Sequence, residues 1–192
     1  MKNLILPIVL LFGASTLFSC GGSHEHDSEG NHTHEHLDEN TEVNHTEGHA
    51  SHAEMGQTLK HYFDLKDGLV RSDAAEAKAG ANALKAHLAV TEITVKGHES
   101  HIRGIVSEIG EHLEQISLTE DLEVQRKHFE TVSDQLYALI QVTGTSGKTV
   151  YRQYCPMAFD DKGAYWLSAE EEIRNPYFGD AMLTCGSVEE KM

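Results

Sequence analysis

Four patterns of apolar and polar residues succeed one another along the chain. Leu4 to Leu11 form a continuous apolar run, and residues 21 to 57 then hold little that is apolar beyond Leu37 and Val43. From about residue 57 to residue 142 the apolar positions recur at helical spacing. Leu59, Tyr62, Phe63, Lys66, Leu69 and Val70 predict a short amphipathic helix that Ser72 and Asp73 interrupt. Asp73 and Glu76 have capping-box spacing for a second helix, in which Ala77, Ala81, Leu84 and Leu88 share one side and the alanines permit close approach to a neighbour. Ile102, Ile105, Val106, Ile109, Leu113 and Ile116 mark a third helix from about Gly97 to Ile116. Leu122, Phe129, Val132, Leu136, Leu139 and Ile140 mark a fourth from about Thr119 to Val142. Short connections between four such segments predict a mainly α fold, an antiparallel four-helix bundle.

The last fifty residues change period. Gly144 and Gly147 stop the fourth helix, and Val150 to Tyr154 alternate as a strand does. Asp160-Asp161-Lys162-Gly163 reads as a turn into a second strand, Ala164 to Leu167, and Asn175 to Gly179 as another turn. The expectation is a small β-hairpin and loop lobe set on one end of the helices, with Tyr154, Trp166 and Phe178 making the contact.

Composition separates the N-terminal part from this domain. Residues 1–19, with Lys2, the apolar run and Leu17-Phe18-Ser19 before Cys20, read as an export signal. With Gly21-Gly22-Ser23 following, the segment resembles the signal of a bacterial lipoprotein, which implies lipidation of Cys20 and anchorage to a bilayer at the cell envelope. Residues 20–56 carry histidines and acids with no lysine or arginine, and too little apolar surface to offset the entropy of ordering, so they read as a tether. Residues 57–192 form the folded domain with the Cys/Met-containing lobe. A formal net charge of −16 argues against nucleic acid or an anionic lipid surface as a partner.

Two mirrored sulfur pairs carry the chemistry of the lobe: Cys155 with Met157, and Met182 with Cys185. Thiolates and thioethers are soft donors that favour monovalent copper. The spacing equally allows a Cys155 to Cys185 disulfide that staples a small lobe, with both methionines as packing residues. In the tether, His24, His26, His32, His34 and His36 sit at alternating or near-alternating positions suited to divalent copper, zinc or nickel. His98 and His101 read as solvent-facing, and His112 lies too far along the helix from His98 to share one ion with that pair. His128, beside Phe129, is expected to turn into the sulfur-bearing lobe as a nitrogen ligand. Gly144 to Thr149 only imitates a phosphate loop, because Val142 stands where its first glycine belongs. No nucleophile elbow or distinctive carboxylate pair suggests an enzyme.

The segments Leu122 to Phe129, Val150-Tyr151 with Tyr154 to Ala158, Gly163 to Ser168, Ile173 to Gly179, and Met182 with Cys185-Gly186 together resemble the domain of unknown function 3347. Its members include exported proteins and lipoproteins, and fusions to periplasmic adaptors similar to those of copper and silver efflux pumps. The resemblance implies metal handling with an efflux adaptor as partner, and no established catalytic activity. It also sharpens interest in Cys155, Met157, Met182, Cys185 and His128. The resulting expectation is a lipid-anchored envelope protein that holds copper and buffers it or passes it on, against the alternative of an interaction module with a structural cystine.

Overall fold

A computed structural model describes residues 46–192. They are mainly helical and end in a small antiparallel sheet. The helices are α1 (Thr46–Val70), α2 (Ala74–Val90), α3 (Glu99–Ser117) and α4 (Leu122–Thr143). β1 (Tyr151–Cys155), a single turn α5 (Ala158–Asp161), β2 (Ala164–Ser168), a 3-10 turn (Gly179–Ala181) and β3 (Ser187–Lys191) follow. Each of α1 to α3 packs against the next helix in sequence, and β2 lies against α4. No helix among the described residues is long and apolar enough to cross a membrane.

The periodicity translates directly into burial. Ile102, Ile105, Ile109, Leu113 and Ile116 form the buried stripe of α3, and Phe129, Val132, Leu136, Leu139 and Ile140 that of α4. Asp73 caps α2, its side chain accepting from the backbone N–H groups of Ala75 and Glu76 at 3.0 and 2.9 Å. The reciprocal half of the capping box is absent, because Glu76 is drawn to Arg71 at 2.6 Å. Asp121 caps α4 in the same way. Helix α1 begins at Thr46, before the first apolar position that marked it. Lys66 does lie on its inner face and is buried, its ammonium turned to Asp67 Oδ1 at 2.8 Å.

The close approach of α1 and α2 rests on glycine as well as alanine. A Cβ placed on Gly80 would stand 2.6 Å from both Cα and N of Leu65, and one on Gly68 would stand 2.5 Å from the backbone nitrogen of Ala77. The two backbones therefore touch where any side chain would hold them apart.

The lobe is a three-stranded sheet in the order β2-β1-β3, antiparallel throughout. The hairpin of β1 and β2 pairs Tyr151 with Ser168 and Cys155 with Ala164, as the alternation predicts. The third strand is not legible as alternation, because Ser187-Val188-Glu189-Glu190-Lys191 is polar and almost wholly exposed. It forms because β1 still offers a free edge, and Tyr137 Oη on α4 donates to Glu190 Oε2 at 2.8 Å to hold it. The lobe shares the helices' core. Val150, Cys155, Ala158, Trp166, Leu167 and Tyr177 join the same buried cluster. Tyr62 ties the layers together, its hydroxyl lying 2.7 Å from Ser133 Oγ on α4 and accepting from the Leu167 N–H on β2 at 3.0 Å.

Candidate metal centre

Cys155 ends the central strand and is fully buried, while Cys185 arrives from the loop before β3 and is half-buried. Their sulfurs lie 3.5 Å apart as free thiols, although thirty residues separate them in the chain. The approach is built by polar groups. Buried Asn175 donates from Nδ2 to the Cys185 carbonyl at 2.8 Å, and its Oδ1 accepts from the Tyr177 N–H at 2.8 Å. Its own N–H donates to the Leu183 carbonyl at 2.8 Å, and Cys185 N–H closes a turn onto the Met182 carbonyl at 3.1 Å. Gly186 follows at φ 144°, where a Cβ would stand 2.7 Å from the Tyr154 carbonyl oxygen and 2.9 Å from Cη2 of Trp166. Only glycine lets the second cysteine reach the end of β1. The hydrogen bond to Cys155, with lesser help from burial, holds the Cys185 thiol above its ordinary pKa.

Both methionines line a neighbouring cleft of about 620 Å³, together with Phe159, Tyr177 and Phe178. Met157 is among the few exposed large apolar residues of the described chain. After it the backbone turns left-handed at three successive residues, Phe159, Asp160 and Asp161, with φ of 53, 56 and 63°. None is glycine, so the turn costs about 1–2 kcal/mol per residue. Two contacts hold the turn: the Phe159 ring meets Tyr177 edge-on at 5.3 Å, and Lys162 reaches Glu130 on α4 at 2.9 Å. Arg126 also lines the cleft, and it is pinned there: its Nε donates to the Pro176 carbonyl at 2.9 Å and its Nη2 donates to the Leu69 carbonyl and Ser72 Oγ. Neither the left-handed turn nor the clamp was foreseen, and the only sequence signal for the first is the Asp160 to Gly163 turn composition.

The remaining expectations sort differently. His128 does not turn to the sulfur lobe: its Nδ1 lies 3.0 Å from Nδ1 of His112 on α3. The reason is helical phase, since Glu123, Arg126 and Lys127 are the α4 residues that line the cleft, and His128 is rotated by about a hundred degrees from Lys127. Burial, then the neighbouring His112, then Lys127 lower the His128 pKa. His98 and His101 are exposed, as expected. A second histidine contact, His61 with His87 at 5.6 Å between ring centres, joins α1 to α2 and had no signal in local spacing. The signal segment, Cys20, and the tether residues His24, His26, His32, His34 and His36 lie outside the described residues.

Among the described residues no group of three or more His, Cys, Asp and Glu is arranged to hold a metal ion. The thiol pair by itself supplies two soft donors. Sulfur ligands stand about 2.3 Å from zinc, so two on one ion of that size are at most about 4.6 Å apart, and a separation of 3.5 Å falls within that span. The same contact is a short movement from the S–S bond of about 2.05 Å in a cystine.

No curated protein and no solved structure matches the chain. The resemblance read from sequence runs to about residue 190, whereas the family-model match ends before β1 and takes in the Leu122 to Phe129 segment without the sulfur residues. Residues 58–148 match the family described as Protein of unknown function (DUF3347).

Proposed function

We propose that this protein is a lipid-anchored, non-enzymatic component of the bacterial cell envelope that binds monovalent copper through Cys155 and Cys185. The observation that carries the reading is the 3.5 Å approach of two free thiols from distant parts of the chain. In this reading α1 to α4 serve as an antiparallel four-helix bundle that carries the lobe. Met157 and Met182, on the wall of the adjoining cleft, supply thioether donors as the ion enters or leaves. The tether histidines collect divalent copper, with zinc or nickel as competitors, and Cys20 carries the lipid. An efflux adaptor at the periplasmic face receives the ion.

The thiol pair gives the site a pH dependence of known sign. Because the Cys185 pKa is raised, its proton must be displaced for a thiolate to bind, and below that pKa affinity weakens by up to about tenfold per displaced proton for each unit of acidification. Titration of the reduced protein with Cu(I) against a chromophoric competitor is expected to show one tightly held ion. C155S/C185S is expected to lose it, and M157L/M182L to weaken it. Equal uptake by the reduced protein and a variant with serine at all four positions would sink the reading.

The same contact favours a second reading, a stapled interaction module. There, Cys155 and Cys185 are oxidised in protein isolated from the envelope, and replacing both methionines by leucine changes neither stability nor partner binding. Thiol trapping followed by mass measurement separates the two.

A further inference from the structure

The geometry points to a second metal site, for a divalent imidazole-seeking ion such as zinc or copper(II), formed by Nδ1 of His112 on α3 and Nδ1 of His128 on α4. The two nitrogens already stand 3.0 Å apart. Imidazole nitrogens lie about 2.0–2.1 Å from zinc, so at bond angles of about 90 to 109° a pair of them is about 2.9–3.4 Å apart. The observed separation falls inside that range, so rotation of the two rings is what turns both lone pairs onto one ion. Both rings are half-buried, 5.1 Å apart between centres and inclined by 59°, so each presents an edge to the other instead of stacking.

The surroundings admit a cation. The rings face a solvent-open groove of about 590 Å³ that Glu111 and Glu114 also line. Lys85 is the basic residue lining it, and its ammonium is already paired with the Glu114 carboxylate. Water from the open groove is available to complete the coordination. Before binding, one proton bridges the two Nδ1 atoms. On binding it moves to Nε2 of the same ring, which frees both Nδ1 lone pairs for the ion. Desolvation of His128 and the presence of His112 already favour the neutral form there.

This site is independent of the thiol pair, and its donors are nitrogen where those are sulfur. Because it bridges two helices, it exists only in the folded chain, so an ion bound there stabilises the fold by mass action. The test is thermal and chemical unfolding of the metal-stripped protein with and without zinc chloride. Zinc at a hundred times its dissociation constant is expected to lower the unfolding constant about a hundredfold, with the midpoint rising by several degrees. H112Q/H128Q is expected to lose most of that shift while keeping every tether histidine, so uptake by the tether cancels. C155S/C185S is expected to retain it, which separates this site from the thiol pair. Should H112Q/H128Q fail to fold, long-range proton-nitrogen spectra of the native protein decide, since zinc must move the Nδ1 resonances of His112 and His128 together. Unmoved resonances at saturating zinc, or an undiminished stability shift in a folded H112Q/H128Q, would overturn the assignment.

Discussion

The helices and the C-terminal lobe are held together by different means. From α1 to α4 the contacts are apolar stripes at regular spacing, drawn close between α1 and α2 by Gly68, Gly80, Ala77 and Ala81. The lobe contributes a few apolar residues to that core, and its loops are positioned by buried polar groups. Gln153 donates to the carbonyls of Glu170 and Glu171, Asn175 fixes the Cys185 loop, and Arg152 lies between the Tyr137 and Tyr165 rings at 4.0 and 3.8 Å. Left-handed residues occur singly at Ser72 and Ser146 in the turns after α1 and α4, whereas three stand consecutively in the lobe, beside the cleft that holds both methionines. Non-directional burial is enough to place helices. Bringing two particular sulfurs together requires directional bonds, and a buried hydrogen-bond group without its partner costs about 1–3 kcal/mol, which makes such an arrangement specific.

Substitutions in each region can sharpen or break this contrast. The largest effect is expected from Gly80→Val, because the new Cβ falls against the Leu65 backbone, which cannot rotate away. A loss of about 3 kcal/mol in urea unfolding is expected, as for overpacking of a tight contact. A loss below about 1 kcal/mol would mean that the two helices separate easily and that their contact is not the stiff part of the molecule.

Asn175→Ala is expected to cost about 2 kcal/mol, since it leaves the Tyr177 N–H and the Cys185 carbonyl without partners. Its more telling consequence is local. With the loop released, alkylation of Cys185 should speed up by more than the loss of global stability explains. If stability falls while thiol reactivity stays unchanged, Asn175 supports the lobe without positioning the cysteine.

Gly104→Ala on the exposed face of α3 should move the other way. Nothing lies within 4 Å of the added Cβ, so the helix gains about 0.5–1 kcal/mol of propensity with no contact disturbed. The thiol separation and metal uptake should remain as they were. A change in either would show that the helices and the lobe are coupled more tightly than their packing indicates.

The divide between what was legible and what was not runs along the same line. Each of α2, α3 and α4 could be read from residues a few positions apart, and Asp73 announced its cap. The β1 and β2 hairpin was readable from alternation. β3 was not, because an exposed edge strand buries no face and leaves no apolar pattern. His128 shows how a local reading fails at a site: its neighbour Phe129 suggested an inward position, but helical phase turned the ring toward α3 and left the cleft to Arg126 and Lys127.

The sequence by itself determined the mainly helical class, the cap of α2, and the short list of sulfur residues in the lobe. Those features rest on interactions between residues within about one turn or one hairpin, and their period is written in the chain. Only the tertiary structure decided that Cys155 meets Cys185, that Met157 and Met182 share a cleft, and that His128 meets His112. Each of these depends on loop path, strand register or helix rotation, where a shift of one residue turns a side chain to another face.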